Sequence, residues 1–129
     1  MKDSDLKNIS SAALAYLGDS VIEVCVREYL VSKGLSSSAH LNSAALEFVR
    51  ATAQADAMKN IIDMLDDEEE AAFRRGRNMG HSSTPKSASV SEYRTATGME
   101  ALFGWLYLSG KKERINELFA AAYNLEEKF

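Results

Sequence analysis

Two acidic residues sit inside long apolar runs, and no other feature limits the possible folds of this chain as much. Asp19 lies within Ala13-Leu14-Ala15-Tyr16-Leu17-Gly18-Asp19-Ser20-Val21-Ile22-Glu23-Val24, and Glu100 within Ala96-Thr97-Gly98-Met99-Glu100-Ala101-Leu102-Phe103-Gly104-Trp105-Leu106-Tyr107-Leu108. A charged carboxylate removed from water without a partner costs several kcal/mol, a large share of the roughly 5–15 kcal/mol of a whole domain. Each acid therefore needs a basic side chain, several N–H donors or a cation, and neither run holds a basic residue within a turn of its acid. In one arrangement the two acids share a metal ion. In the competing one each is satisfied separately, by an arginine, a backbone group or a partner chain.

The runs read as helices. Apolar and polar residues do not alternate over a strand's length, and the chain holds a single proline, so an all-α fold is expected. The first long helix is expected to start after Ser10 or Ser11 and to run to Lys33, with Gly34 as its stop. A second helical region covers roughly 38–65, where Leu46, Val49, Ala53, Ala57, Ile61, Met64 and Leu65 recur at helical spacing. Asp66 to Arg77 carries acids first and arginines last, which complements a helix dipole, and its acidic run reads as a solvated face. A Gly-, Ser- and Thr-rich loop from Asn78 to Ala88 follows. Ser89-Val90-Ser91-Glu92 then has the pattern of a capping box opening the Glu100 helix, which Ser109-Gly110 ends. A last amphipathic helix places Ile115, Leu118, Phe119, Ala122 and Leu125 on one side.

At about 100° per residue, Ala15, Ile22, Val26 and Leu30 lie near Asp19 on the first helix, with Leu14, Leu17, Val21 and Val24 opposite. A helix apolar nearly all round is a buried one, so Asp19 is expected against other protein, not free in water. Small residues flank both acids, Ala15 and Gly18 on one helix and Ala96 and Gly104 on the other. A close crossing there would bring Asp19 and Glu100 to one cation. Carboxylates with few nitrogens suit Mg²⁺, with Mn²⁺ as second candidate. His40 and His81 have no Cys or His companions, which speaks against zinc.

The 129 residues suffice for one domain spanning 1–129 with a real core. Net charge is −4, which excludes nucleic-acid binding by bulk charge and leaves only a local patch or bound cations. Such a patch is present: Arg74, Arg75, Arg77, Lys86 and Arg94 stand against Glu92 alone in residues 74–94. With Asn78, His81, Ser82, Ser83 and Thr84 among them, they suit phosphate contacts. A solvated helix end followed by an ordinary loop is the equally plain alternative. No run approaches the ~18 apolar residues of a membrane span. The N-terminus lacks the apolar stretch of a signal peptide. Cys25, alone, reads as a small core residue. These features together point to the cytoplasm.

Leu17-Gly18-Asp19-Ser20-Val21-Ile22-Glu23 resembles the signature helix of ribonuclease III catalytic domains, and Glu100 to Leu108 resembles their second acidic motif. Ala15-Tyr16-Leu17-Gly18-Asp19, Arg75-Gly76-Arg77-Asn78, Pro85-Lys86 and Tyr93-Arg94-x-Ala96-Thr97-Gly98 are similar to the Mini-ribonuclease III branch. The resemblance covers nearly the whole chain. It implies a homodimeric, all-helical ribonuclease III endonuclease fold that cleaves double-stranded RNA with Mg²⁺, leaving 5′-phosphate and 3′-hydroxyl ends. It also implies a role in maturing the 23S ribosomal RNA precursor with a ribosomal protein assisting, no separate RNA-binding domain, and no membrane. By position, Asp19 and Glu100 become the catalytic, metal-binding carboxylates, and Arg75, Arg77, Asn78, Lys86 and Arg94 the contacts to RNA. Larger ribonuclease III enzymes carry further acids where this chain has Ala15 and Thr97, which implies weaker metal binding without substrate. Glu23, one turn from Asp19, is read as a partner for an arginine of a second subunit, with a water-mediated contact to the metal as the alternative. A catalytically weak RNA- or pre-ribosome-binding relative and a purely structural helical dimer are the other functional readings.

Overall fold

The computed structural model describes residues 3–79 and 88–125, and among these every regular element is helical. The elements are α1 (Asp3–Lys7), α2 (Ser11–Ser32), α3 (Ser38–Val49), α4 (Ala51–Ile61), a 3₁₀ turn at Ile62–Met64, α5 (Asp67–Arg77), α6 (Val90–Leu108) and α7 (Lys112–Ala122). The ends form where cap chemistry allows. Ser10 Oγ accepts from the Ala13 amide at 3.0 Å to open α2, and Gly34 follows its end at φ +87. Ser89 Oγ accepts from the Glu92 amide at 3.1 Å while Glu92 accepts from the Ser89 amide at 3.0 Å, the expected capping box.

α6 is the central helix, packed by α2, α4, α5 and α7. Its middle turns are largely buried, through Ala96, Thr97, Gly98, Met99, Ala101, Leu102, Phe103, Gly104 and Leu106. Met99, Leu102, Phe103 and Leu106 share one core with Ile22 and Val26 of α2, Met58 and Ile61 of α4, and Leu118 and Phe119 of α7. Cys25 belongs to the same core, and burial pushes its thiol up to about 11.

The single helical region expected over 38–65 is in fact two helices. Arg50 is extended, at φ −61 and ψ 146, and ends α3 while opening α4. Packing accounts for the break. α3 buries no residue fully, whereas α4 buries Ala55, Ala57, Met58 and Ile61. Phe48 at the end of α3 lies 5.9 Å from the Tyr29 ring and 5.0 Å from the Tyr123 ring. A straight helix through residue 50 could not serve both contacts, because α4 must turn its own face to α6.

Two further features concern polarity. α2 is not covered all round, since Tyr16 is 84% exposed and Val24 61%, and Asp19 lies on the exposed side of the chain. The acidic run is not wholly solvated either. Asp67 and Glu68 are exposed and Glu70 pairs with Arg74 at 2.9 Å, but Glu69 is 1% exposed. Glu69 accepts from the Asp66 amide at 2.9 Å and from the Arg114 fork at 2.8 and 2.9 Å. Arg114 also donates to the Met64 carbonyl at 2.8 Å. This bidentate pair ties α5, the 3₁₀ turn and α7 together, and the hydrogen bonds from Arg114 hold the Glu69 carboxyl below its ordinary range.

Arg114→Ala strands a buried carboxylate, so a loss of about 3 kcal/mol is expected. Thermal denaturation near neutral pH should show a midpoint roughly 10 °C lower. The difference should shrink in acid. Glu69 contributes stability above its unfolded-state pKa and loses it as pH falls through its depressed folded value.

Candidate active site

The site is set by how closely two helices approach. A Cβ built on Gly18 of α2 would lie 1.6 Å from the Glu100 carbonyl oxygen, and one on Gly104 of α6 would lie 2.1 Å from the Leu14 carbonyl oxygen. The two backbones therefore touch, with a glycine at each point of contact. Leu14, Ala15 and Ala101 pack beside the crossing. The small residues noted in the sequence thus act as expected, with Gly18 and Gly104 forming the contact itself.

Asp19 follows Gly18, and Glu100 is the residue whose carbonyl faces Gly18. The crossing accordingly brings the two side chains together, close enough for the Asp19 carboxyl to act directly on that of Glu100. Asp19 reaches solvent while Glu100 is half-buried. Burial first, then the Asp19 charge, then the hydrogen bond to Asp19 push the Glu100 carboxyl up to about 8. Among the described residues neither acid forms an ion pair with Arg or Lys. Two carboxylates held in contact with no basic partner favour a proton or a cation between them.

The donor set fits a hard dication of the Mg²⁺ kind, which accepts one or two protein carboxylates and takes its other oxygens from water and substrate phosphate. The described residues contain no group of three or more acidic, His or Cys side chains placed to hold a metal. Ala15 is buried, and the Thr97 hydroxyl is occupied by the Tyr93 carbonyl at 3.0 Å. Glu23 pairs with Arg27 of its own helix at 3.1 Å.

The residues expected to contact RNA are placed unevenly. Arg77 lies over the Phe73 ring at 5.5 Å and donates to Asn78 Oδ1 at 3.2 Å, at the C-terminal end of α5. Arg94 is exposed on the second turn of α6. Lys86, with His81 and most of the Ser- and Thr-rich loop, lies outside the described residues. Arg75 is occupied within the protein: Nη2 donates to the Ile9 carbonyl and Nε to Ser11 Oγ at 3.3 Å. Sequence reasoning missed this anchor and the Glu69–Arg114 pair. Both join residues more than forty positions apart, and nothing local signals them.

Residues 12–111 match the ribonuclease III domain family. The chain is 43% identical to the Mini-ribonuclease 3 of Enterococcus faecalis over 116 residues, 88% of each chain. It is 42% identical to that of Brevibacillus brevis over 126 residues, 98% of this chain and 92% of the relative. A crystal structure of a Fusobacterium nucleatum protein superposes with a TM-score of 0.84 at 32% identity, covering 95% of this chain and 98% of that one. Enzymes of this family depend on a metal ion, usually Mg²⁺, act on double-stranded RNA and commonly dimerise. Among the described residues no helix is long and apolar enough to cross a membrane. With the two acidic motifs joined at one crossing and the likeness extending over nearly the whole length, the chain belongs to the ribonuclease III family, in its Mini-ribonuclease III branch, and is an endoribonuclease of that type.

Proposed function

We propose that Asp19 and Glu100 hold Mg²⁺, Mn²⁺ being the second candidate, and cut double-stranded RNA of the 23S ribosomal precursor, leaving 5′-phosphate and 3′-hydroxyl ends. The observation that carries this reading is the contact between the Asp19 and Glu100 carboxyls, without a basic partner, across the Gly18–Gly104 crossing. When bound, the ion supplies an activated water for attack on the phosphodiester and stabilises the departing 3′-oxygen. Asp19, open to solvent, offers the site from which substrate and ion enter. Glu100, half-buried on the central helix, would hold the ion in its deprotonated form.

Arg77, Asn78 and Arg94 grip RNA phosphates around the carboxylates, and Lys86 is a further phosphate contact. Arg77 and Asn78 lie where α5 ends and Arg94 where α6 begins, so they flank the segment joining the two helices. Backbone contacts of this kind read the shape of an A-form duplex without base-specific groups. The working unit is a homodimer of chains spanning 1–129, acting in the cytoplasm with a ribosomal protein aiding recognition of the precursor. Support for the dimer comes from the open side of α2. Tyr16, Val24 and Val31 are exposed there, and a groove lined by Leu17, Val21, Val24, Tyr107 and Ile115 continues it. A second copy would cover this apolar surface.

Cleavage of a duplex resembling the paired ends of 23S precursor tests the reading. Mg²⁺-dependent cuts with 5′-phosphate ends are expected, and EDTA should abolish them. Changing a residue that only supports a metal ligand costs about 10–100-fold, so Asp19→Asn and Glu100→Ala should each lower the rate by about a hundredfold or more. RNA affinity in EDTA should change little. Wild-type cleavage rates in either variant would refute the assignment.

Thermal melts across pH supply a second check. The Glu100 pKa is raised on folding, so its contribution to stability is complete below the ordinary carboxylate value and is lost as pH rises through about 8. In EDTA the protein should lose on the order of 3 kcal/mol over that window. Glu100→Gln should remove the slope, and saturating Mg²⁺ should flatten it by displacing the proton.

A further inference from the structure

Arg74 and Arg77 of the α5 end bond to near neighbours in sequence, whereas Arg75 reaches a distant part of the chain. Its Nη2 donates to the Ile9 carbonyl and its Nε to the Ser11 hydroxyl, at the first turn of α2, the helix that carries Asp19. The next residue, Gly76, faces the other acid-bearing helix. A Cβ there would lie 2.6 Å from the Thr97 carbonyl oxygen and 2.9 Å from the Gly98 Cα of α6. Consecutive residues thus pin the last turn of α5 to both α2 and α6. α5 packs broadly on α6 but only lightly on α2, which makes the Arg75 fork the chief polar link on that side. Arg77 and Asn78 come directly after the pinned turn.

We infer that Arg75 is a positioning residue and not a phosphate contact. It sets the register between the phosphate-gripping groups that begin at Arg77 and the carboxylates that cut. This inference rests on the proposed roles of Asp19, Glu100 and Arg77. Its physical basis is geometric. The scissile phosphate must meet Asp19 and Glu100 while its neighbours are held from the end of α5, and a displacement of about 1 Å between the two can cost up to about a hundredfold in rate. The planar fork spans two acceptors at fixed angles, which a lysine ammonium cannot reproduce. A mere phosphate contact would need only the positive charge.

The test compares Arg75→Lys, Arg75→Ala and Ser11→Ala with the wild-type chain and with Asp19→Asn. Steady-state cleavage of one duplex RNA in Mg²⁺ is measured for each, together with RNA affinity in EDTA over a range of salt and a thermal midpoint. For both Arg75 variants kcat should fall about tenfold with KM within about twofold of wild type. The dependence of log affinity on log salt should keep its wild-type slope. Ser11→Ala should lower kcat in the same direction by less, and it keeps the inference testable should the Arg75 variants fold poorly. A wild-type rate in Arg75→Lys, or a slope smaller by about one in Arg75→Ala, would make Arg75 a phosphate contact and overturn the inference. Unchanged kcat in all three variants would overturn it as well. Cleavage by Asp19→Asn at the wild-type rate would instead refute the carboxylate reading, and the salt slope would still decide whether Arg75 touches phosphate.

Discussion

Backbone contact between α2 and α6 at Gly18 and Gly104 is the constraint on which the rest of this structure depends. A glycine inside a helix costs up to about 1 kcal/mol relative to alanine, and here two are spent opposite each other. What they secure is distance. With any side chain at Gly18 the Glu100 carbonyl would be displaced, because a Cβ there falls 1.6 Å from its oxygen. Helices packed through side chains stand about 8–10 Å apart. At that separation the short Asp19 side chain would lose its contact with Glu100. The same crossing seats α6 at the centre of the fold, so the element that supplies the core also supplies the more buried of the two acids.

The electrostatics follow from that placement. Elsewhere the chain settles its buried charge internally: Glu69 receives the fork of Arg114, and Arg114 reaches Glu117 at 2.8 Å as well. The Asp19–Glu100 pair is left unsettled among the described residues, with Glu100 pushed up to about 8. Stability alone would favour an apolar pair at such a crossing. Under the proposed role in a metal-dependent nuclease, an ion would bring the missing charge and the substrate further oxygens. Structure and chemistry pull in opposite directions at this point, and the fold absorbs the conflict through the packing of α6.

Much of this was legible in the residues themselves. Ser89 and Glu92, Ser10, Gly34 and Ser109-Gly110 marked the ends of α2 and α6 because capping is a local matter of hydrogen bonds over a few residues. The small residues around Asp19 and Glu100 signalled a crossing. Arg50 gave no such sign, for it is an ordinary helix former, and the break there reflects the separate demands of Phe48 and of the buried face of α4. The apolar character of α2 implied a helix held against other protein, and in a single chain its Tyr16 and Val24 remain open.

The sequence by itself determined the helical class, the caps and the family, and it marked the two acids that now meet at the crossing, because helical periodicity, capping and motif order are properties of neighbouring positions. Only the tertiary structure decided which charges are free to act. Glu69 lies in a run of like residues and Arg75 in a row of arginines, and each is singled out by a partner far along the chain, Arg114 in one case and Ile9 with Ser11 in the other. The reason is that burial and hydrogen-bond pairing over long separations depend on how helices pack, and packing is settled by the whole chain at once.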